Sequence, residues 1–201
     1  MTLNSHGSGK KSSTYTAGIV PENVEDISKE LLPLPDLPLS KRLLHWGPIA
    51  TITIIAIVSV AGIVCLLQLW PPFSSAGATM NMLCFIVTMY SVTSNFLAAA
   101  DIGPGYVPSG WKPANKDDEK KLQFCKFCRC YKPPRSHHCR KCGRCCMRMD
   151  HHCPWINNCA GHRNYGYFLR FLLFSVVGCA HSASIVGPTT ISAVLTVREL
   201  L

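Results

Sequence analysis

The sequence predicts a multi-pass α-helical membrane protein with a cytosolic, loop-rich, two-zinc cysteine-rich domain inserted between the second and third transmembrane helices. Two observations predict this fold class. Hydrophobic residues make up 48% of the 201-residue chain, and they are gathered into long blocks that carry almost no charge. Between the second and third blocks, residues 125–159 hold nine of the twelve cysteines, interleaved with four histidines. Apolar blocks of this kind are typical of a membrane protein, and the cluster is typical of a metal-binding domain.

The first 40 residues are expected to form a disordered cytosolic tail. They are rich in Ser, Gly, Thr and Pro, and they lack the apolar core of a signal peptide. Pro33, Pro35 and Pro38 exclude a continuous helix near the end of this tail. A short binding motif within it is the less favoured alternative to a flexible terminus.

Three segments are long and apolar enough to cross a bilayer as helices, and they cover residues 48–70, 79–100 and 165–186. About 20 apolar residues are needed to span the hydrocarbon core. Trp46 and Trp70 bracket the first segment in the manner of interfacial anchors. The short connection between the first two segments predicts a tight helical hairpin.

The third segment contains two polar residues. Arg170 lies about one turn inside, where its side chain can reach the headgroups. His181 lies deeper, and a neutral histidine bonded within the bundle is favoured over a functional one. Gly187 and Pro188 predict the end of the helix, which leaves residues 187–201 as a short tail.

The charge distribution predicts the orientation. The net charge is +9, and thirteen of the twenty Lys and Arg residues lie between Lys112 and Arg163. Lys41 and Arg42 precede the first helix, and two crossings return the chain to the same side. The positive-inside rule makes this side cytosolic, where thiols stay reduced. The basic segment fits a nucleic acid, an anionic membrane or a polyanionic substrate, and a merely solvated basic loop is an equally weighted alternative.

The cysteine cluster offers more ligands than one zinc ion needs. Closed zinc sites take four ligands from cysteine and histidine, and eight ligands for two ions can be drawn from this segment with the cysteine of the run 150–153 left over. A free cysteine beside Asp150 and His151 is a candidate nucleophile. A RING-type cross-brace is an alternative, but it ends in a second Cys-x2-Cys pair, which is missing here. A nucleic-acid-binding zinc knuckle would not explain the flanking helices, and Cys130 and Cys146 are interpreted as ordinary thiols.

The residues of this cluster resemble the cysteine-rich domain of the DHHC family of protein S-acyltransferases, or palmitoyltransferases. The matching motifs cover residues 125–128, 132–145, 149–159 and 161–164, and they include the run Asp-His-His-Cys-Pro-Trp. Residues 103–108 resemble the family's Asp-Pro-Gly motif, with Gly103 in place of the aspartate. Two further motifs, at residues 42–48 and 110–113, suggest the endoplasmic-reticulum branch of the family.

The resemblance implies two structural Zn²⁺ sites, each of three cysteines and one histidine. The first would use Cys125, Cys128, His138 and Cys145, and the second Cys139, Cys142, His152 and Cys159. It also implies that Cys153 forms an acyl-enzyme with the acyl group of a long-chain acyl-CoA such as palmitoyl-CoA and passes it to a protein cysteine. His151 would be the general base, and Asp150 would orient it.

The same resemblance implies contacts with the acyl-CoA donor. The expected donor-binding residues are Lys126, Lys132, Arg135, Arg140, Trp155 and Gly178. The basic ones would attract the CoA phosphates, and Gly178 would leave the end of an acyl cavity open for chains of sixteen carbons or longer. Alternatively, glycine at 178 merely lets two helices approach closely.

The expected partners are the lipid bilayer, acyl-CoA and protein substrates with membrane-proximal cysteines, and no nucleic acid. The expected location is the membrane of the endoplasmic reticulum or Golgi. The family's fourth helix and its Thr-Thr-x-Glu motif are not matched, so the chain is expected to be truncated after the third helix. The alternative function is therefore a catalytically inactive, membrane-anchored zinc module that binds partners.

Overall fold

The computed structural model describes residues 37–200, and the side chains of 188–197 and 199–200 lie outside the description. Most of the expected disordered tail, residues 1–36, also lies outside it. The tail prediction extends slightly too far, because a short helix α1 occupies Leu39–Leu43 with Pro38 as its N-cap. Proline is well tolerated at a helix start, where the missing N–H would have no partner in any case.

Three long helices account for the apolar segments: α2 at Trp46–Leu69, α3 at Ala76–Asp101 and α5 at Tyr165–Leu200. Within residues 37–200 each contains a stretch that is long and apolar enough to cross a membrane. Side chains cap the N-termini of α2 and α3. His45 Nδ1 accepts from Gly47 N at 3.3 Å, and Ser75 Oγ accepts from Ala78 N at 3.1 Å. The multi-pass helical fold predicted from the sequence is confirmed.

Helix α5 does not end where the sequence predicted. Its membrane-spanning part covers Tyr165–Gly187, in agreement with the expected span. The helix itself continues through residues 187 and 188 to Leu200, so the expected short tail is helical. A proline removes one backbone donor, and transmembrane helices tolerate this because neighbouring groups satisfy the freed carbonyl.

A close contact at a glycine and a polar pair join helices of the bundle. A Cβ atom on Gly62 of α2 would overlap the Phe85 ring of α3, so only glycine allows this close approach. His181 Nε2 lies 2.7 Å from Asn81 Oδ1, which links α5 to α3 inside the bundle. This contact agrees with a histidine bonded within the bundle.

Between α3 and α5 lies the cysteine-rich domain, which contains a short helix α4 at Lys116–Glu119 and three two-stranded antiparallel hairpins. The first pairs β1 (Phe124–Cys125) with β2 (Cys130–Tyr131). The second pairs β3 (His137–Cys139) with β4 (Arg144–Cys146), and the third pairs β5 (His151–Cys153) with β6 (Asn158–Ala160). Such short strands cannot bury an apolar core of their own, so the ligand clusters must hold the domain together.

The chain leaving α3 runs alongside the second hairpin. Val107 N donates to Cys145 O at 2.8 Å, and Met147 N donates to Gly105 O at 2.7 Å. Gly105 has φ +85°, a value that favours glycine, and an added Cβ would press on Met147 and Arg163. The glycine motif therefore fits the domain closely against the end of the bundle.

Candidate active site and metal centres

The first ligand cluster, called the first quartet, joins the first two hairpins. It consists of Cys125, Cys128, His138 and Cys145, whose ligand atoms all lie within 4.8 Å of one another. Cys125 and Cys128 come from the β1–β2 hairpin, whereas His138 and Cys145 face each other across the β3–β4 pair. The second hairpin is thus tied to the first by one cluster.

The second quartet repeats this arrangement one hairpin later. It consists of Cys139, Cys142, His152 and Cys159, again within 4.8 Å of one another. Cys139 and Cys142 come from the β3–β4 hairpin, and His152 and Cys159 face each other across the β5–β6 pair. The structure thus brings together the same two groups of four that the family resemblance implies.

The spacing within both quartets fits a tetrahedral ion. Zinc bonds of about 2.3 Å to sulfur and about 2.0 Å to nitrogen place neighbouring ligand atoms about 3.5–3.8 Å apart. In the first quartet His138 Nδ1 lies 3.6, 3.2 and 3.9 Å from the three sulfurs. In the second, His152 Nδ1 lies 3.6, 3.5 and 3.6 Å from its three sulfurs. Two metal ions can therefore bind, each held by three sulfurs and one nitrogen.

The thiols of both quartets are crowded together, and a cation would relieve this crowding. The hydrogen bond with Cys159, followed by burial, raises the pKa of Cys142 to about 12. Burial, followed by the neighbouring thiols Cys125 and Cys128, raises the pKa of Cys145 well above its usual range. Without a metal Cys142 and Cys145 would stay protonated, because burial and the neighbouring thiols disfavour their thiolate forms. A divalent ion removes that penalty, and its binding must release protons.

Strand geometry separates the metal ligand from the candidate nucleophile. Successive side chains of a strand point to opposite faces. In β5, His152 points to the second quartet, so His151 and Cys153 share the other face. Both of them line the same apolar cavity. The strand therefore places Cys153 in this cavity and outside both quartets.

Asp150 and His151 form a hydrogen-bonded pair at the edge of this cavity. His151 Nδ1 lies 2.8 Å from Asp150 Oδ2, and both side chains are about half exposed. Because a carboxylate accepts, the proton of the neutral ring lies on Nδ1 and the Nε2 lone pair can accept a proton. Phe168 packs edge-on against the imidazole, with ring centroids 5.3 Å apart. The ring is therefore held from two sides.

The cavity lies between two membrane helices. It measures about 430 Å³ and is bounded by Ile54 and Ile55 of α2 and by Phe171 and Leu172 of α5. Cys153 at its edge is only 4% exposed. An apolar space of this kind between transmembrane helices suits a hydrocarbon chain.

Helix α2 contacts the loop that follows Cys153. Thr51 Oγ1 donates to Trp155 O at 3.3 Å, and the Trp155 ring meets Trp46 edge-on at 5.4 Å. A Cβ atom on Gly47 would overlap the carbonyl of Pro154. The start of α2 is therefore shaped to receive this loop.

The expected donor-binding residues are dispersed. Lys126 and Arg140 are exposed, and Lys132 reaches Gln123 Oε1 at 3.5 Å. Arg135 instead lines a second, polar cavity of about 300 Å³, together with Arg148, Asp150, His162 and Tyr165. Asp150 borders this polar cavity and bonds His151, which lines the apolar one.

Gly178 lies against helix α3. A Cβ atom there would lie 2.7 Å from Met89 Cε and 3.4 Å from Thr88 Cγ2 of α3. The last residue of α5 that lines the cavity is Ser175, one turn earlier. The structure thus gives Gly178 a helix-contact position, the alternative considered from the sequence.

Comparison with known proteins agrees with this geometry. Residues 118–198 match the family model of the DHHC palmitoyltransferase. The chain is 48% identical over 145 residues to palmitoyltransferase ZDHHC6 of Mus musculus and of Homo sapiens, covering 72% of this chain and 35% of each relative. It is 35% identical over 149 residues to a probable protein S-acyltransferase 16 of Arabidopsis thaliana, covering 69% of this chain and 52% of that protein.

The chain belongs to the DHHC family. It spans about a third of the length of the ZDHHC6 relatives and about half of the Arabidopsis one. The Asp-His-His-Cys motif divides between two sites. Its second histidine, His152, belongs to the second quartet, whereas its first histidine, His151, lines the apolar cavity together with Cys153.

Sequence reasoning missed the residues that attach this DHHC domain to the helices. Gly47 lies in a motif to which no structural role was assigned, Thr51 does not stand out in its apolar segment, and Asn158 and Asn164 lie in the family motif without an assigned role. The close contact at Gly47 and the buried amides of both asparagines appear only in three dimensions. The one sequence signal is the position of Asn158 directly before Cys159, an implied metal ligand, whereas the burial that makes both amides need partners is visible only in the structure.

Proposed function

We propose that this chain is a protein-cysteine S-palmitoyltransferase, which transfers a long-chain acyl group from acyl-CoA to protein cysteines through an acyl-enzyme on Cys153. One observation carries the proposal. Cys153 belongs to neither quartet and lines an apolar cavity together with His151, which is bonded to Asp150. This combines a nucleophile, a base and space for a fatty chain.

The first half-reaction would load the cysteine. His151 Nε2 takes the thiol proton of Cys153, and the thiolate sulfur attacks the thioester carbonyl carbon of the donor. The bond from that carbon to the CoA sulfur breaks, and the CoA thiolate leaves with the proton from His151. Asp150 holds the ring in the tautomer this needs and stabilises its charged form.

The second half-reaction would release the acyl group to the substrate. A substrate cysteine gives its proton to His151 Nε2 and attacks the acyl carbon. The bond to Cys153 Sγ breaks, and Cys153 regains a proton from the imidazolium. The substrate thiol must reach the cavity edge at the membrane face, so substrates are proteins with membrane-proximal cysteines.

Both quartets would hold structural Zn²⁺. Three sulfurs and one nitrogen complete the coordination of each ion, so neither ion has an open position for the substrate. Bound zinc supplies rigidity. The second quartet contains His152 and Cys159 of the hairpin that carries Cys153, so it fixes this hairpin directly.

The polar cavity beside Asp150 supports a place for the CoA head group. Arg135, Arg148 and His162 line it and would bind phosphate oxygens, with Arg135 able to bind two at once. Lys126, Lys132 and Arg140 would add longer-range attraction, and Trp155 would contact the donor where it enters the apolar cavity. The acyl chain would then extend between α2 and α5.

The expected orientation is part of this proposal. Basic residues before α2 and throughout the cysteine-rich domain favour a cytosolic N-terminus and a cytosolic zinc domain. The proposed location, the membrane of the endoplasmic reticulum or Golgi, rests on the resemblance of the motifs near residues 45–48 and 110–113 to one branch of the family.

The proposal is tested by incubating the purified chain in lipid nanodiscs with palmitoyl-CoA. We expect a palmitoyl group on the protein that neutral hydroxylamine releases, as it cleaves thioesters. Cys153→Ser must abolish this label, whereas Cys179→Ser, an exposed cysteine on α5, must keep it. If Cys153→Ser keeps the label, or if the wild type acquires none, the proposal is contradicted and a partner-binding module is favoured.

A further inference from the structure

The C-terminal end of α3 leaves backbone carbonyls without partners in the helix. The last four C=O groups of any α-helix lack an intrahelical donor. Ile102 N donates to Ala98 O at 2.9 Å, but the chain then enters Gly103 and Pro104, and proline has no N–H. The carbonyls of Ala99, Ala100 and Ile102 therefore need donors from elsewhere.

Two fully buried asparagines supply these donors. Asn158 Nδ2 lies 3.3, 3.2 and 3.0 Å from the carbonyl oxygens of Ala99, Ala100 and Ile102. Asn164 Nδ2 lies 3.1 Å from Ala99 O and 3.2 Å from Ile102 O. Both side chains are 0% exposed, so water cannot replace either amide.

The remaining bonds fix which way each amide points. Asn158 Oδ1 accepts from Cys159 N at 3.0 Å, and Asn164 Oδ1 accepts from Gly161 N at 2.9 Å. A flipped amide would place its oxygen against the helix carbonyls and its N–H₂ group against a backbone N–H. The donor side of both asparagines therefore faces α3.

Both asparagines are joined to the hairpin that carries the nucleophile. Asn158 is the direct cross-strand partner of Cys153 in the β5–β6 pair. Asn164 Nδ2 also donates to Cys159 O at 2.8 Å, in the same hairpin. Cys153 packs in one apolar cluster with Ala99 and other residues of α3. The end of α3 is thus connected to the nucleophile through hydrogen bonds of known direction.

We propose that Asn158 and Asn164 are positioning residues that attach the β5–β6 hairpin to the C-terminal carbonyls of α3 and so place Cys153 at the edge of the apolar cavity. Their donors, and not their volume, perform this role. The inference rests on the proposed function only in assigning the nucleophile to Cys153. The attachment itself stands on the hydrogen bonds.

The test compares aspartate with alanine at each position in the full chain. Aspartate keeps the size of the side chain but replaces the donating amide by a carboxylate, which faces two or three carbonyls. Alanine removes the donor and leaves a small gap. Asn115→Asp is the matched control, because Asn115 is exposed and accepts from Asp117 N, which aspartate also does. Each variant is measured for bound zinc, for the rate of Cys153 acylation at saturating palmitoyl-CoA and for the half-saturating concentration.

We expect Asn158→Asp and Asn164→Asp to keep two zinc ions and an unchanged half-saturating concentration. Their saturated rate should fall about a hundredfold, the loss typical of a reacting group displaced by about 1 Å. The alanine variants should fall less, since no carboxylate is then forced against the carbonyls. If Asn158 and Asn164 only filled space, the alanine variants would lose more rate than the aspartate variants, because alanine leaves a cavity and aspartate does not.

A second readout does not depend on the proposed reaction. Cys153 is 4% exposed, so iodoacetamide should alkylate it slowly in the wild type and in Asn115→Asp, and faster in both aspartate variants. If the wild type forms no acyl-enzyme but the alkylation order holds, the proposed function fails and the positioning role stands. Zinc loss in the aspartate variants, or alanine variants that are equal to or worse than aspartate in rate and alkylation, would overturn the positioning role.

Discussion

The two metal quartets have the same donors in the same arrangement, yet they stabilise different parts of the molecule. Each takes a Cys-x2-Cys pair from one hairpin and a facing His–Cys pair from the next. The first quartet joins two hairpins that carry none of the proposed catalytic residues. The second includes His152 and Cys159 of the hairpin that carries His151 and Cys153.

The strand β5 carries residues of both the second quartet and the cavity. The side chains of the β5 strand alternate, so His152 points to the second quartet while His151 and Cys153 point to the cavity. The opposite strand contributes Cys159 to the second quartet and carries the buried amide of Asn158, which bonds the end of α3. Damage to the second quartet should therefore affect catalysis more than damage to the first.

The largest effect is expected from removing a ligand of the second quartet. His152→Ala or Cys142→Ala should lose one zinc ion, unfold the β5–β6 hairpin and abolish acylation of Cys153. Structural zinc contributes on the order of 10 kcal/mol to the folding of small finger peptides. Zinc content and limited proteolysis measure the result.

The matched variant is His138→Ala in the first quartet. It should also lose one zinc ion, but the second quartet still holds the hairpin, so acylation should be reduced and remain measurable. If His152→Ala keeps the zinc content and protease resistance of the wild type, or if His138→Ala and His152→Ala lose activity equally, the two quartets do not differ in the way described.

The next effect concerns the contact of the loop after Cys153 with α2. In Gly47→Ala the new methyl group overlaps the Pro154 carbonyl, so the loop after Cys153 must move. A displacement of about 1 Å costs about a hundredfold in rate. Stopped-flow acylation should show this loss while two zinc ions remain bound.

Gly166→Ala is the control for the Gly47 variant, because Gly166 also lies near a helix start and has open space around its Cα. This control should keep the wild-type rate, since alanine is favoured over glycine in helices. Equal rates for the variants at positions 47 and 166 would show that the contact with α2 has no role in catalysis.

A smaller effect should separate the cavity from the helix contact beside it. Ser175→Phe fills the cavity and should favour shorter chains, by about fourfold for each methylene excluded at about 0.8 kcal/mol. Gly178→Leu should lower acylation for all chain lengths alike, because position 178 faces Met89 of α3. Competition between fourteen- and eighteen-carbon acyl-CoA measures the ratio. A shift in that ratio for the Gly178 variant alone would support the sequence-based expectation that glycine at this position leaves the end of the cavity open.

The smallest effect is a change in the acid stability of the first quartet. Burial, followed by the charges of Lys132 and Arg140, lowers the pKa of His138. A lowered pKa keeps this histidine neutral and able to bind metal as the pH falls below its usual pKa of about 6.5. Lys132→Gln should raise the pKa of His138, so acid should release the first zinc ion at a slightly higher pH.

Zinc release during acid titration measures that shift, and Lys112→Gln, an exposed lysine outside the hairpins, is the control. Release at an unchanged or lower pH in the Lys132 variant would contradict the electrostatic explanation.

Much of this molecule could be predicted because its signals are local. The three apolar segments follow from long stretches with almost no charge, and in each of them the structure forms a helix that is long and apolar enough to cross a membrane. The family resemblance implied the grouping of eight ligands into two quartets, and the structure shows the same grouping in space. Hairpin pairing explains it, since it places His138 opposite Cys145 and His152 opposite Cys159.

The remaining features depend on contacts between distant segments. Helix α5 continues past Pro188 to Leu200, although the local Gly187-Pro188 signal predicts an end. Gly178 faces α3 because of the rotation of α5, which its distance from Cys159 does not fix. Asn158 and Asn164 donate hydrogen bonds to carbonyls at the end of α3, which lies about 60 residues earlier in the chain.

The central claim is that Cys153 and Cys159, on facing strands of one hairpin, have separate roles as nucleophile and metal ligand. Native mass spectrometry after incubation with palmitoyl-CoA counts zinc ions and acyl groups on the same molecules. The wild type should carry two zinc ions and one acyl group on Cys153. Cys153→Ser should carry two zinc ions and no acyl group, and Cys159→Ser should lose one zinc ion. A Cys153→Ser variant that loses a zinc ion, or that still carries the acyl group, would contradict the account.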